Sequence, residues 1–142
     1  MNSLYELIPH REPMLLLNNI LDVGEKSSSA EIIISRASSF FMDGEGVPSW
    51  IGVEYMGQTA ALIAGYQLKQ GTVTPHLGLL LGTRKYEAFT PWFREGDILI
   101  VSCQEFAVVG EQLATFICEI RNKKDHVRCA TAKLSVYRKP IV

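Results

Sequence analysis

The strongest constraint on the fold of this 142-residue chain is an apolar segment in which Glu54 is the only ionisable carboxylate, Ile51 to Tyr66 (IGVEYMGQTAALIAGY). A helix that is apolar on every side packs in a core rather than on a surface. We therefore predict a buried helix that ends at Gln70, with Gly71 as its C-terminal stop. Burying a carboxylate is unfavourable unless it is compensated, so Glu54 is either a functional group or a cap of its own helix start.

The composition is typical of one globular domain, residues 1–142, because 47% of the residues are hydrophobic and 20% are charged. A formal charge of −1 gives no strong attraction to nucleic acid or to an anionic membrane. The three cysteines lack CxxC spacing and predict core residues of a reducing compartment, not disulfides or a zinc site. Charged residues interrupt the N-terminal segment, and no apolar run is long enough to span a bilayer. We therefore expect a cytoplasmic protein without membrane insertion.

Six β-rich runs flank the helix, two before it and four after it. Polar residues alternate in parts of these runs, as expected for a sheet with one solvated face. The predicted strands are Met14–Val23, Ser29–Ser35, Leu77–Ala88, Asp97–Val108, Gln112–Arg121 and Arg128–Tyr137. A helical turn is predicted at Ser3–Leu7, and a loop from Ser39 to Ser49 leads to the helix, which begins near Ser49 or Trp50.

This order predicts an α+β domain in which a curved antiparallel sheet of five to six strands wraps around one long buried helix. One sheet covers one face of the helix, and the remaining faces need another partner. A homo-oligomer is the simplest solution. The alternative is a monomer whose loop 39–49 covers the exposed helix face.

Three segments match the motifs of a known enzyme family: LIPHREPMLLLNNILDV, VPSWIGVEYMGQTAAL and LGLLLGTRKYEAFTPWFREGDIL. In this order they resemble the leader and first strand, the catalytic helix, and the following strand and turn of the 3-hydroxyacyl-[acyl-carrier-protein] dehydratases of the hotdog fold. The chain most resembles the subgroup associated with aryl-polyene assembly. The resemblance implies a hotdog fold, a homodimer or a heterodimer with a related subunit, and a substrate tunnel at the interface between subunits. It also implies a 3-hydroxyacyl thioester substrate on acyl carrier protein, and no metal or other cofactor is indicated.

The chain departs from the family at one catalytic position. Those dehydratases carry a catalytic histidine in a Gly-His-Phe-Pro-Gly loop before the glutamate, whereas the corresponding loop here is FFMDGEGVPSW, without histidine. Glu54 matches the catalytic glutamate, and His10, in the similar leader, is the remaining candidate for its partner. A loop histidine before a strand is otherwise most often a structural hydrogen-bonding group. His76 and His126 lie in polar segments, where solvation is the more common role.

Dehydration needs two proton transfers, one from C2 of the acyl chain and one to the departing 3-hydroxyl group. A histidine and a carboxylate in an apolar tunnel can supply both. Backbone N–H groups of Gly52 and Val53, at the helix start, are predicted to bind the thioester oxygen as it gains charge. Gln58, one turn after Glu54, either orients the carboxylate or binds a substrate carbonyl, unless it is simply a satisfied buried amide.

Other candidates concern the tunnel and its mouth. Trp50 is predicted to be a tunnel-wall residue, with a core position as the alternative. A carrier protein is acidic, and Arg84, inside the LLGTRKYE motif, is the candidate that would contact it. Asp43 and Glu45 replace the family's loop histidine, but Asp-Gly and Glu-Gly are ordinary turn pairs. Other basic residues are more simply solvated charges: Lys85, Arg94, Arg121, Lys123 and Lys124.

The leading functional hypothesis is an enzyme, a hydro-lyase that removes water from 3-hydroxyacyl chains on acyl carrier protein in polyene or fatty-acid-like biosynthesis. A thioesterase of the same fold would use Glu54 to activate water or to attack the thioester, because fold does not fix chemistry. A noncatalytic acyl-binding or assembly subunit is the third possibility, because the loop histidine is missing.

Overall fold

The computed structural model describes residues 3–71, 76–110 and 112–140. Its elements are α1 (Leu4–Leu7), β1 (Asn19–Val23), β2 (Ser27–Ile33), β3 (Val47–Pro48), a 3-10 turn (Ser49–Ile51), α2 (Gly52–Gln70), β4 (His76–Ala88), β5 (Trp92–Phe93), β6 (Ile98–Val109), β7 (Leu113–Asn122) and β8 (Arg128–Pro140). Six strands form one antiparallel sheet in the order β1-β2-β6-β7-β8-β4, while β3 and β5 pair separately. The predicted α+β architecture, with a sheet of five to six strands and one long helix, is confirmed.

The long helix α2 ends at Gln70 as predicted, but it begins at Gly52, because a 3-10 turn occupies the predicted start, Ser49–Ile51. It follows Pro48 through the 3-10 turn and ends at Gly71, whose φ of 73° lets its N–H donate to the carbonyls of Gln67 and Leu68. Met56, Leu62 and Ile63 of this helix are fully buried. They belong to one hydrophobic core with the inward-facing side chains of the sheet. No helix among the described residues has the length and hydropathy that a membrane crossing requires.

The sheet covers only part of the helix, as predicted. A row of apolar residues on α2 remains half-buried: Val53, Gly57, Ala61, Ala64 and Leu68. The N-terminal leader, residues 3–18, lies against another part of the helix. A Cβ atom at Gly65 would lie 1.9 Å from the carbonyl oxygen of Leu7, so only glycine allows this close approach.

One strand boundary was predicted wrongly. The first strand begins at Asn19 and not at Met14. The reason is that the backbone of Met14 and Leu16 bonds to the side chain of Gln58 rather than to another strand. The other boundaries agree within two residues, except that the last strand continues to Pro140. The β3–β5 pair was missed because strands of two residues carry no periodic signal.

The three cysteines are buried and free, as the sequence predicts. Cys103 and Cys118 face each other across β6 and β7, with their sulfur atoms 2.9 Å apart. Burial, followed by the hydrogen bond between the two thiols, raises the pKa of Cys103. The Cys103 thiol therefore stays protonated, and both side chains pack as small apolar groups.

Candidate active site

Glu54 and Gln58 are brought together one turn apart on α2. Glu54 is half-buried, and its Oε1 accepts a hydrogen bond of 3.2 Å from Nε2 of Gln58. Gln58 is fully buried, its Nε2 also donates to the carbonyl of Met14, and its Oε1 accepts from the N–H of Leu16. The Gln58 amide thus joins the Glu54 carboxylate to the leader, which sequence spacing alone could not show.

His10 lies in the leader between the two places where the leader contacts α2, at Gly65 and at Gln58. Its side chain is partly buried, and Nδ1 is shielded from solvent without a hydrogen-bond partner. No hydrogen bond joins it to Glu54. Buried polar atoms in proteins are nearly always paired, so an unpaired ring nitrogen is consistent with a group reserved for a ligand or for catalysis.

The backbone around His10 is fixed by Arg11. Its guanidinium donates to the carbonyls of Tyr5, Ile8 and His10, at 3.2, 3.0 and 2.8 Å. It also lies over the Tyr5 ring, whose hydroxyl donates to the Glu12 carboxylate. These contacts close the leader into a compact loop, and no sequence pattern beyond the leader motif itself indicates them.

Tyr86 contacts the start of the helix and was missed by sequence reasoning. Its hydroxyl donates to the carbonyl of Ser49 in the turn before α2. A Cβ atom at Gly52 would lie 2.3 Å from that hydroxyl oxygen, so glycine is needed here. Burial, then the nearby Cys129, raises the pKa of Tyr86 to about 12, which keeps the hydroxyl protonated as a donor.

The predicted role of the Gly52 N–H needs correction. This N–H is directed to the carbonyls of Ser49 and Trp50 within the 3-10 turn, so it is not the free donor that was predicted. A 3-10 turn satisfies donors that an abrupt helix start would leave unpaired. Val53 lies one residue further, with a half-buried side chain, and its role as a donor remains a prediction.

Trp50 lies at the entrance of the helix and is 66% exposed. The alternative that it is a core residue is therefore wrong, while a place at the wall or mouth of a tunnel remains a prediction. The side chain of Arg84 lies outside the described part of the structure. His126 is exposed in a turn, as predicted.

The other basic candidates differ in their contacts. The Arg121 side chain bonds the Glu119 carboxylate, and Lys123 pairs with Glu31. Arg94 donates to the backbone carbonyl of Glu45 in the loop that lacks the histidine. Each of these three basic side chains is therefore already bound by another group of the same chain.

A cavity of about 410 Å³ is lined by the leader, by residues 32–39 and by Tyr55 of the helix. Leu15, Leu17, Ile32 and Tyr55 contribute to its wall, and serines 35, 38 and 39 to its rim. Burial, and then the proximity of Tyr86, raises the pKa of Tyr55. Leu16, whose N–H donates to Gln58, also lines this cavity, so the cavity and the candidate site share this stretch of the leader.

Comparison with known proteins identifies the family. A family model described as ApeP-like, ApeP dehydratase, matches residues 2–141. The chain belongs to the ApeP-like dehydratase family. This confirms the predicted resemblance, the hotdog fold and the enzyme class.

Curated relatives and solved structures agree with this ApeP-like assignment. The 3-hydroxyacyl-[acyl-carrier-protein] dehydratase FabZ of Chlamydia caviae is 31% identical over 118 residues, covering 79% of this chain and 75% of the relative. FabZ of Chlamydia pneumoniae is 26% identical with the same coverage. The dehydratase heterocomplex ApeI:P from Xenorhabdus doucetiae aligns with a TM-score of 0.84 at 25% identity, covering 97% of this chain and 91% of that chain. The PaaI protein of E. coli, at 16% identity and a TM-score of 0.65 over 84% of this chain and 82% of its own, shares the fold.

Proposed function

We propose that this chain removes water from 3-hydroxyacyl groups carried on acyl carrier protein and yields the 2-enoyl thioester, in polyene or fatty-acid-like biosynthesis. The observation that carries the proposal is Glu54, a half-buried carboxylate near the start of an otherwise apolar helix, held by Gln58. A carboxylate fixed in an apolar setting is poised for proton transfer rather than for solubility.

In this proposal Glu54 and His10 supply the acid and the base between them. One removes a proton from C2 of the acyl chain, while the other protonates the 3-hydroxyl group, which leaves as water as the C2–C3 double bond forms. Each positioned transfer is worth roughly 10² to 10⁴ in rate. The Val53 N–H, at the helix start, is proposed to bind the thioester oxygen, with Trp50 in the wall of the substrate tunnel and Arg84 at the carrier protein.

The unpaired Nδ1 of His10 supports its role. His10 is the histidine of the leader, and its backbone is fixed by Arg11 and by the contacts of the leader with α2. Holding a side chain in place by its surroundings is what a catalytic proton donor or acceptor needs. No hydrogen bond joins His10 to Glu54 in the free protein. In this proposal the bound substrate connects them, because it exchanges a proton with each side chain.

We further propose that the working unit contains two hotdog subunits, either two copies of this chain or this chain with a related one. The similar ApeI:P structure is a heterocomplex. The half-buried row on α2 offers an apolar surface for such a partner.

The test is to incubate the purified protein, alone and with its related subunit, with a 3-hydroxyacyl carrier protein and to follow the acyl group by mass spectrometry. We expect loss of water, abolished by Glu54→Gln and by His10→Asn. The matched control is His126→Asn, which removes an exposed imidazole from a turn where φ is 61° and asparagine is tolerated.

Each outcome has a distinct meaning. Release of free acid would replace the proposal with a thioesterase. An unchanged acyl chain in both preparations, with the carrier protein still bound, would identify a noncatalytic subunit. Dehydration that survives His10→Asn but not Glu54→Gln would assign the second proton transfer to a residue other than His10.

A further inference from the structure

Arg128 differs from the other arginines whose side chains the structure describes. Each of the others is engaged by oxygen atoms of the protein: Arg11 by carbonyls, Arg36 by Asp43, Arg94 by the Glu45 carbonyl, Arg121 by Glu119 and Arg138 by Glu105. The Arg128 side chain makes no hydrogen bond or ion pair with a described residue. Its guanidinium instead lies over the ring of Phe89, 5.5 Å from the ring centre.

This pair lies at the end of the sheet that adjoins the start of α2. Ile120 would touch a Cβ at Gly52, and it pairs with Ala130, two residues after Arg128. The N–H of Phe89 donates to the carbonyl of Cys129, next to Arg128. The segment after Phe89 reaches the helix entrance, because the Pro91 carbonyl accepts from the N–H of Ser49.

Exposed apolar side chains lie at the pair and at the helix entrance. Phe89 is 53% exposed, Val127 56% and Trp50 66%. Exposed aromatic rings beside an unengaged guanidinium suit a ligand that is apolar or amide-like along its length and anionic at one end. A free carboxylate or a second protein helix would also bind Arg128. Neither would explain why exposed aromatic rings stand both beside Arg128 and at the helix start.

We propose that Arg128, held over the Phe89 ring, binds the phosphate of the phosphopantetheine arm that carries the acyl chain, while the arm passes Trp50 on its way to Glu54. This inference rests on the proposed function and specifies how its substrate is held. A guanidinium offers several N–H groups in one plane and binds phosphate oxygens in pairs. The cation–π contact with Phe89 restrains the guanidinium without occupying its hydrogen-bond donors.

The experiment measures binding of phosphopantetheine and of pantetheine, which lacks the phosphate, by calorimetry. For the wild type we expect phosphopantetheine to bind more tightly. Arg128→Gln should weaken it by about tenfold, with pantetheine unchanged, which is the usual scale for one partly exposed charge-assisted contact. Arg128→Lys should be intermediate, and Phe89→Leu should weaken phosphopantetheine alone. The matched control Lys124→Gln removes a positive charge from the neighbouring turn and should change neither affinity.

The same variants are then assayed for dehydration of acyl groups on carrier protein, on coenzyme A and on pantetheine. Arg128→Gln should raise KM for carrier-bound substrate with little change in kcat, and leave the pantetheine thioester unaffected. Equal losses for all three substrates, or equal affinity of phosphopantetheine for the wild type and Arg128→Gln, would overturn the inference. A loss confined to coenzyme A would assign Arg128 to nucleotide phosphates and overturn the carrier-arm assignment. Phosphate-dependent binding without dehydration of any substrate would instead count against the proposed function.

Discussion

Gln58 is the residue on which the geometry of the candidate site most depends. Its three hydrogen bonds join Glu54 to the backbone of Met14 and Leu16, and its side chain is fully buried. A buried amide with both ends satisfied can hold a neighbouring carboxylate in one rotamer at little cost in free energy. The position of Glu54 and the path of the leader are therefore set by the same side chain.

We predict that Gln58→Leu lowers the free energy of unfolding by about 1–3 kcal/mol, because it leaves two partly buried leader backbone groups without partners. It should also lower kcat, because the Glu54 carboxylate loses its orienting donor. Chemical denaturation and dehydration assays measure the two effects separately.

The control for this variant is Gln67→Leu on the same helix. Gln67 is also buried, and its amide donates to the carbonyl of Glu25 and accepts from Arg138. This substitution should cost comparable stability while leaving kcat unchanged, since Gln67 lies more than three turns from Glu54. A similar fall in kcat for both variants would mean that Gln58 acts through stability alone.

At the scale of secondary structure, the entrance of α2 is built from three elements that meet at Gly52. The 3-10 turn supplies the carbonyl of Ser49, β4 supplies the Tyr86 hydroxyl, and β7 supplies Ile120. Only a residue without Cβ fits between these groups. The start of the helix, and with it the position of Glu54, is thus fixed by packing rather than by a side-chain cap.

We predict that Gly52→Ala lowers the free energy of unfolding by about 1–3 kcal/mol, because the new methyl group displaces Tyr86 from the Ser49 carbonyl. Tyr86→Phe should remove that hydrogen bond and also relieve the clash. The double variant should therefore lose less stability than the sum of the two single variants, by about 1 kcal/mol in a double-mutant cycle. Strict additivity would show that Tyr86 does not restrict position 52.

The Glu31 carboxylate on β2 makes the free energy of unfolding depend on pH in the acidic range. Lys123 and then Asn19 hydrogen-bond it and lower its pKa below 4.5, against the opposing effect of partial burial. A lowered folded-state pKa contributes stability that is present above the unfolded value and is lost as pH falls through the folded one. The free energy of unfolding should therefore decline below about pH 4.5, and Glu31→Gln should flatten that decline. Lys123→Met should make the decline shallower, because the hydrogen bond that lowers the Glu31 pKa most is removed. Unfolding curves measured at a series of pH values would test both variants.

The sequence predicted elements more reliably than contacts, for physical reasons that particular residues illustrate. The bounds of α2 follow from local signals, namely an apolar run, Pro48 before it and Gly71 after it. The bond from Gln58 to the leader joins residues 42 and 44 positions apart, and Tyr86 reaches Ser49 from 37 positions away. Such contacts depend on how strands and helix pack, and no local pattern encodes them. The engaged N–H of Gly52 was mispredicted for the same reason, since a 3-10 turn and an abrupt helix start look alike in sequence.

At the scale of the whole molecule, the rest of the described structure leaves two features available to another subunit. One is an edge strand of the sheet, and the other is an apolar row on the long helix. The strand β4 is 13 residues long and forms one edge of the sheet, whereas the other edge, β1, has five residues. A long edge strand offers a row of backbone groups to another chain. The half-buried row on α2 (Val53, Gly57, Ala61, Ala64 and Leu68) is the second feature, and its small residues allow close approach of a second helix. Both features support the proposed two-subunit unit.

We predict that Ala61→Glu, which places a charge in the middle of the half-buried row on α2, converts the assembly to monomers while the chain stays folded. The cost of burying an unpaired carboxylate in an interface is several kcal/mol, enough to dissociate a subunit pair at micromolar concentration. Sedimentation of the protein alone and with its related subunit measures the assembly, and circular dichroism checks folding. Val109→Glu is the control, because Val109 is 64% exposed and a charge there should leave the assembly unchanged.

Hydrogen exchange should also slow along β4, but not along β1, as protein concentration rises, because pairing with another strand would protect β4 amides. An Ala61→Glu protein that sediments like the wild type, or β4 exchange that ignores concentration, would place the interface elsewhere.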